Sequence, residues 1–305
     1  MLTLTQPSEI VARLDAVASL IGQTPLLPLR RAWTSASVSI LAKLEWQQLG
    51  QSIKARPAFE IIKAAVLGGQ FDQGQHLLDA TTGNLGISYA AICARMGLPL
   101  TLCLPEDTPS AHLRTLRSFG ARLQLTPAQA GFKGARAKAH ELSLLRPDRY
   151  YFADQASNEQ NWKAHYLGTA REIYHQTQGQ LTHFVAGLGS AGTITGTSQK
   201  LKEVNADIRV VALQPEQDDH HLPGWRNLAP EETVSVYRPD LVDATLRISD
   251  EAAAHWQQRL AREEGLLVSR SAAANLAGAV KVAELLETGT VVTVFADDAS
   301  RYGFQ

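Results

Sequence analysis

Short runs of Val, Ile and Leu, four to eight residues long, alternate with helix-period segments along most of this chain. That alternation constrains the fold more than any other feature, because short, fully apolar runs belong to parallel strands covered by helices on both faces. Strands are expected over 38–45, 77–80, 98–104, 122–125, 183–186, 209–213 and 291–296. Helices are expected over 57–67, 85–96, 111–119, 133–145, 159–176, 193–204, 250–264 and 272–286. The class is α/β with doubly wound, mostly parallel sheets. No internal repeat or long linker interrupts the pattern. The polar stretch 146–150 is the expected lobe boundary, and 218–224 is expected to be a loop.

The 305 residues suffice for two lobes with separate cores. A formal charge of −1 argues against nucleic acid as a partner, since phosphate backbones call for a basic face. No stretch has the roughly 20 apolar residues that would span a bilayer. The first ten residues carry neither a basic n-region nor an apolar h-region, so a cytoplasmic location is expected. Cys93 and Cys103 form no C-x-x-C pair and are expected to be small buried side chains.

Three motifs sit near the ends of apolar runs: Lys54 in Gln51-Ser52-Ile53-Lys54-Ala55-Arg56-Pro57, the turn Thr81-Thr82-Gly83-Asn84, and Gly187-Leu188-Gly189-Ser190-Ala191-Gly192-Thr193. An amine, a polar turn and a glycine-rich turn together point to a covalently held, phosphorylated cofactor. Small residues let backbone N–H groups converge, and a helix N-terminus favours an anion. Each motif has a plainer reading: a solvated charge at Lys54, a helix cap at Asn84, a packing turn at 187–192. Gly187-x-Gly189-x-x-Gly192 also matches the dinucleotide fingerprint, which wants an acidic residue about 20 residues on. Glu216 lies 29 residues after Gly187 and follows Pro215, so that match is loose.

The string from Gly189 to Gly196 is similar to the G-T-G-G-T-x-T-G phosphate loop of cysteine synthases, in the β-family of pyridoxal-phosphate enzymes. Ala191 stands where glycine is usual and is expected to keep φ below zero. The resemblance extends from about residue 20 to Tyr302. Ile21-Gly22-Gln23-Thr24-Pro25-Leu26 is like I-G-N-T-P-L, and Gly50-Gln51-Ser52-Ile53-Lys54 resembles G-S-[VI]-K, whose lysine forms the Schiff base. Asp79-Ala80-Thr81-Thr82-Gly83-Asn84-Leu85-Gly86 looks like E-A-T-S-G-N-T-G. His165 to Thr169 and Thr182 to Val185 resemble the cysteine synthase B branch. Ala55, Leu85, Ala191 and Ala273 depart from the family pattern; Leu85 in particular lacks the side-chain donor usual there.

The resemblance implies a two-lobed fold type II enzyme, tryptophan synthase β-like, with a smaller mobile lobe over 41–150 and a larger lobe from 1–40 and 151–305. It implies pyridoxal 5′-phosphate as cofactor, held by Lys54, Asn84, Gly189, Ser190, Ala191, Gly192, Thr193 and Ser271. It places Thr81, Thr82, Gly83 and Gln155 on the substrate carboxylate, and Arg226 on a second substrate anion. Ser271 falls against the pyridine nitrogen, and is also a candidate helix N-cap. The implied activity is β-replacement on an O-activated serine, through an α-aminoacrylate, with Lys54 moving the α-proton and closure of the smaller lobe excluding water. A sulfur donor then gives L-cysteine or S-sulfocysteine. Diaminopropionate or cystathionine-type condensation, an inactive protein of the same fold, and a nucleotide-binding oxidoreductase are the alternatives. The implied partners are small molecules and a second copy in a homodimer. The sequence ends at Gln305 soon after Arg301-Tyr302, without the family's usual C-terminal extension, from which a more open dimer edge or site mouth is expected. No metal is expected; Asp218, Asp219, His220 and His221 lack ligand spacing.

Overall fold

The computed structural model describes residues 7–71, 73–228 and 235–301; Tyr302 lies outside them. In chain order the elements are α1 (Pro7–Ala18), β1 (Leu26–Pro28), β2 (Val38–Leu44), α2 (Ala55–Leu67), β3 (His76–Ala80), α3 (Asn84–Met96), β4 (Leu100–Pro105), α4 (Ser110–Ser118), β5 (Arg122–Thr126), α5 (Gly131–Leu145) and β6 (Tyr150–Phe152). There follow α6 (Gln160–Ala164), α7 (Ala170–Gln176), β7 (His183–Gly187), α8 (Gly192–Val204), β8 (Arg209–Pro215), β9 (Ala244–Ile248), α9 (Asp250–Arg259), α10 (Arg270–Ala283) and β10 (Gly289–Phe295).

Contacts divide the chain into two compact units. One contains 1–21, 48–50 and 54–161; the other contains 22–47, 51–53 and 162–305. The division differs from the expected lobes at both ends. Residues 7–21 and 151–161 belong with the sheet that the central segment builds, and β2 is not cut at residue 41. The stretch 146–150 is no boundary, because it leads directly into β6, whose Tyr150 pairs with His76 of β3.

The first unit is built on a four-stranded parallel sheet, in the order β5-β4-β3-β6. Every residue of β3 and β4 is buried, as expected of strands sandwiched between helices. One face packs α1, α2 and α3 around Ile62, Leu77, Tyr89 and Leu102. The other receives α5 through Ala135 and Ala139, against Leu78, Ala80 and Cys103. Helix α3 is apolar nearly all round because it is buried nearly all round. Gly97, at φ +72°, turns the chain out of it.

The second unit carries a six-stranded sheet, in the order β1-β2-β10-β7-β8-β9. All neighbouring pairs are parallel except the three-residue edge strand β1, which is antiparallel to β2. Helices α9 and α10 cover one face and α7 and α8 the other. Lys43 of β2 is fully buried, donating to the Thr24 carbonyl (2.5 Å), Glu172 Oε2 (2.6 Å) and Gln176 Oε1 (3.0 Å).

The doubly wound, mostly parallel expectation is met in both sheets. Four elements had no sequence expectation: α1, β1, β6 and β9. Two of the strands are only three residues long, and β9 is a largely exposed edge strand without an apolar run. The continuous helix expected over 159–176 is broken by a π turn at His165–Thr169. There α8 comes so close that a Cβ on Gly196 would lie 2.0 Å from the Trp162 carbonyl oxygen, and a π turn rearranges backbone at such a place. A second π turn, Leu260–Glu264, ends the helix expected over 250–264.

Candidate active site

In the first unit, Lys54 is the half-buried residue at the head of α2. The chain reaches it through Gly50 and Gln51, at φ +83° and +51°. A Cβ on Gly50 would meet Ser88 Oγ at 3.0 Å and Ser88 Cα at 3.1 Å, so this turn lies tight against α3. Ser88 in turn donates to the Asn84 carbonyl (3.0 Å).

The Thr81–Asn84 turn joins β3 to α3. Its cap is Gly83, and Asn84 is the first helical residue. The cap reading of Asn84 is therefore corrected: the cap position belongs to Gly83. Thr81 is buried, and its hydroxyl oxygen accepts from the N–H groups of Gly83 (3.2 Å) and Gly86 (3.1 Å). That hydroxyl shapes the turn from inside, whereas Thr82 is exposed and Gly83 half-buried. Leu85, the departure noted above, is 8% exposed and packs into the core.

Gln155 is buried just beyond β6. Its N–H donates to Asp79 Oδ2 (3.2 Å) and its carbonyl accepts from Asn161 Nδ2 (3.0 Å). Asp79 Oδ1 accepts from the N–H of Ala80 (2.8 Å), immediately before the turn. Burial pushes the Asp79 carboxyl up to about 7, against the opposing pull of these two N–H groups. Beside Gln155, Asp154 makes a two-point ion pair with Arg136 (2.7 and 2.8 Å).

In the second unit, the glycine-rich turn follows β7 and opens α8, as expected. Ala191 takes φ +63° and ψ −6°, the left-handed region, correcting the expectation of a negative φ. A left-handed residue next to a helix start turns successive N–H groups toward one point, which makes an anion nest. For alanine that conformation costs about 1–2 kcal/mol. The glycines at 187 and 189 have a different cause. A Cβ at 187 would lie 2.2 Å from the Trp225 ring, and one at 189 would lie 2.4 Å from the Gly224 carbonyl oxygen. Close packing of the 223–226 loop demands them. That loop is tied down by the Arg226 N–H, which donates to the Leu188 carbonyl (2.8 Å); the Arg226 residue is exposed.

His165, which had no expected role, reaches Thr193 Oγ1 with Nε2 (3.3 Å) and Thr169 Oγ1 with Nδ1 (2.9 Å). Asn275 of α10 accepts from the Gly187 N–H (2.7 Å) and donates to the Val294 carbonyl (2.8 Å). Neither had a local sequence signal, since both partners come from distant segments. The cap of α10 is Ser269, which accepts from the Ala272 N–H (3.2 Å). Ser271 is not the cap; it is buried in the first turn, 3.0 Å from Ser269 Oγ.

Three of the 218–221 side chains have structural partners: Asp218 accepts from Asn227, His220 Nδ1 accepts from the Leu222 N–H, and His221 pairs with Asp250 at the start of α9. Among the described residues no group of three or more His, Cys, Asp or Glu is placed to hold a metal. Glu216, the acid of the dinucleotide reading, is exposed. No described helix is long and apolar enough to cross a membrane.

The pattern of the family described as pyridoxal-phosphate dependent enzyme matches residues 17–297. The chain belongs to that family. A cysteine synthase of Aquifex aeolicus is 35% identical over 295 residues, covering 94% of this chain and 90% of the relative. Cysteine synthase B of Pseudomonas aeruginosa is 35% identical, with 94% and 95% covered. Among solved structures, O-acetylserine sulfhydrylase isoform 3 of Entamoeba histolytica superposes with a TM-score of 0.87 at 29% identity, covering 94% of this chain and 89% of that one. The O-acetylserine dependent cystathionine β-synthase of Helicobacter pylori gives 0.86 at 31%, covering 95% and 96%. The fold is that of the fold type II pyridoxal-phosphate enzymes.

Within the second unit, the residues present fit the phosphate of this cofactor: the left-handed turn at Ala191 and the start of α8 carry N–H groups that would donate to a phosphate, and the Thr193 hydroxyl stands in the first turn.

Proposed function

We propose that this protein catalyses β-replacement on an O-activated serine, with a sulfur nucleophile giving L-cysteine or S-sulfocysteine. The anion nest at 189–193, in a family member that retains a lysine at the head of α2, is the observation that carries this reading. Bound pyridoxal phosphate supplies the electron sink for chemistry at the α-carbon. Gly189, Ser190, Ala191, Gly192 and Thr193 hold its phosphate, Asn84 its ring oxygen, and Ser271 its ring nitrogen.

Lys54 takes the α-proton of the amino acid as a neutral amine and returns it once the nucleophile has added. The N–H groups of the turn, with the exposed Thr82 hydroxyl and Gln155, receive the substrate carboxylate at a helix N-terminus, where orphan donors favour an anion. Thr81 shapes that turn. Arg226 receives a second anion, such as the phosphate of O-phosphoserine or thiosulfate. A homodimer in the cytoplasm belongs to the same reading.

A cystathionine-type reaction is the second reading. It is favoured by the likeness to the Helicobacter enzyme. Product analysis separates the two. Purified protein is given O-acetylserine or O-phosphoserine with sulfide, thiosulfate or homocysteine. Cysteine or S-sulfocysteine as the dominant product supports the first reading; cystathionine alone supports the second.

A further inference from the structure

Within the first unit, β6 pairs with β3 from His76↔Tyr150 to Leu78↔Phe152, and the Ala153 N–H still donates to the Leu78 carbonyl (2.9 Å). One step further the two chains part. Strand β3 runs into the 81–84 turn, while 154–158 folds into a loop of its own. There the Asp154 carbonyl accepts from the N–H groups of Ser157 (2.9 Å) and Asn158 (3.0 Å). Asn158 Nδ2 donates to the Ala153 carbonyl (2.8 Å), and the Asp154 carboxylate pairs with Arg136 of α5. These bonds hold the loop to itself and to α5. The Asp79 side chain spans the gap to the turn, with Oδ2 on the Gln155 N–H (3.2 Å) and Oδ1 on the Ala80 N–H (2.8 Å). A carboxylate stands where the next ladder bond would be. Asparagine could not take its place, because it has one acceptor oxygen and would turn its NH2 toward the other N–H.

We propose that Asp79 is a positioning residue for substrate recognition: it sets the 81–84 turn and Gln155 at one spacing, so that both meet the same α-carboxylate. This rests on the reading that the turn and Gln155 receive that carboxylate. Asp79 is 3% exposed and acts only through the two segments it holds. Recognition from two sides tolerates a displacement of only about 0.5 Å, and bonds to a charged acceptor are the strong, direction-sensitive ones. Loosening the link therefore weakens ligands that carry a free carboxylate and spares ligands that do not.

The test is calorimetric binding of L-alanine and of L-alanine methyl ester to cofactor-loaded wild type and Asp79→Asn. L-Alanine has no leaving group, so binding is read without turnover. The measurement is made at pH 8, above the value of about 7 to which burial raises the Asp79 carboxyl. Asp79→Asn is expected to weaken L-alanine about tenfold and to leave the ester within about twofold. Equal weakening of both ligands, or of neither, overturns the positioning role while leaving the carboxylate site intact. A wild type that binds acid and ester equally removes the carboxylate site itself, and the proposal falls with that reading. If Asp79→Asn does not fold, amide exchange in the wild type decides. L-Alanine should slow exchange at Ala80 and Gln155 together, and the ester should slow neither; slowing at only one of the two overturns the link.

Discussion

Asp79 Oδ2 accepts a hydrogen bond from the backbone N–H of Gln155 across 3.2 Å, tying two segments 76 residues apart through one buried carboxylate. Its other oxygen holds Ala80. Burial raises this carboxyl from 3.8 to about 7, so the folded protein binds its proton more tightly than the unfolded chain. The stability it contributes is fully present below pH 3.8 and is lost as pH rises through about 7. Asp79→Asn cannot titrate. Its stability relative to wild type should therefore improve with rising pH, by up to about 1.4 kcal/mol per pH unit within that window. His76, lowered to about 4 chiefly by burial, has the opposite trend and cancels because both proteins carry it. Urea midpoints from pH 5 to 8 check this; parallel curves would contradict it.

Much of the fold was legible because strand runs and helix periods are local signals. The site was legible in part. Lys54, the 81–84 turn and the 187–193 turn carry local motifs, but what shapes them does not. Asp79 and Gln155 meet because β6 pairs with β3, an edge that no local pattern announces. The glycines at 187 and 189 answer to Trp225 and Gly224, far along the chain. Ser269 and Ser271 each satisfy a cap pattern, and only helix geometry chooses Ser269. The φ of Ala191 was misjudged because a strain of about 1–2 kcal/mol was assumed to be avoided, whereas surrounding packing sustains it.

At Ala191, relief of that strain in Ala191→Gly is offset by about 0.4–1 kcal/mol of chain entropy and about 0.8 kcal/mol of lost methyl burial. The glycine variant should stay within about 1 kcal/mol of wild type and retain cofactor. Ala191→Val, with a branched side chain in the left-handed region, should lose about 2 kcal/mol or more and bind cofactor less tightly. Denaturation and cofactor titration of both variants decide it.

Gly187→Ala forces a methyl into the Trp225 ring and should cost about 1–3 kcal/mol. In Trp225→Ala the same change should cost much less, since the obstructing ring is gone. A double-mutant cycle measures that coupling; full additivity would show that Trp225 is not the obstruction.

Glu172→Ala removes one charged hydrogen-bond partner of the buried Lys43 ammonium, which keeps its bonds to Thr24 and Gln176, and should destabilise by about 1.5–3 kcal/mol. Lys43→Met should cost less, because the Glu172 side chain is 19% exposed and can be hydrated. Chemical denaturation of the two variants gives the order.

The most direct measurement is the visible spectrum of the purified protein, before and after addition of O-acetylserine or O-phosphoserine, with Lys54→Ala in parallel. A cofactor band that shifts with one of these substrates in the wild type, and whose substrate response is lost in Lys54→Ala, is the predicted result. A wild-type band that neither substrate moves would contradict the assignment of β-replacement on an O-activated serine.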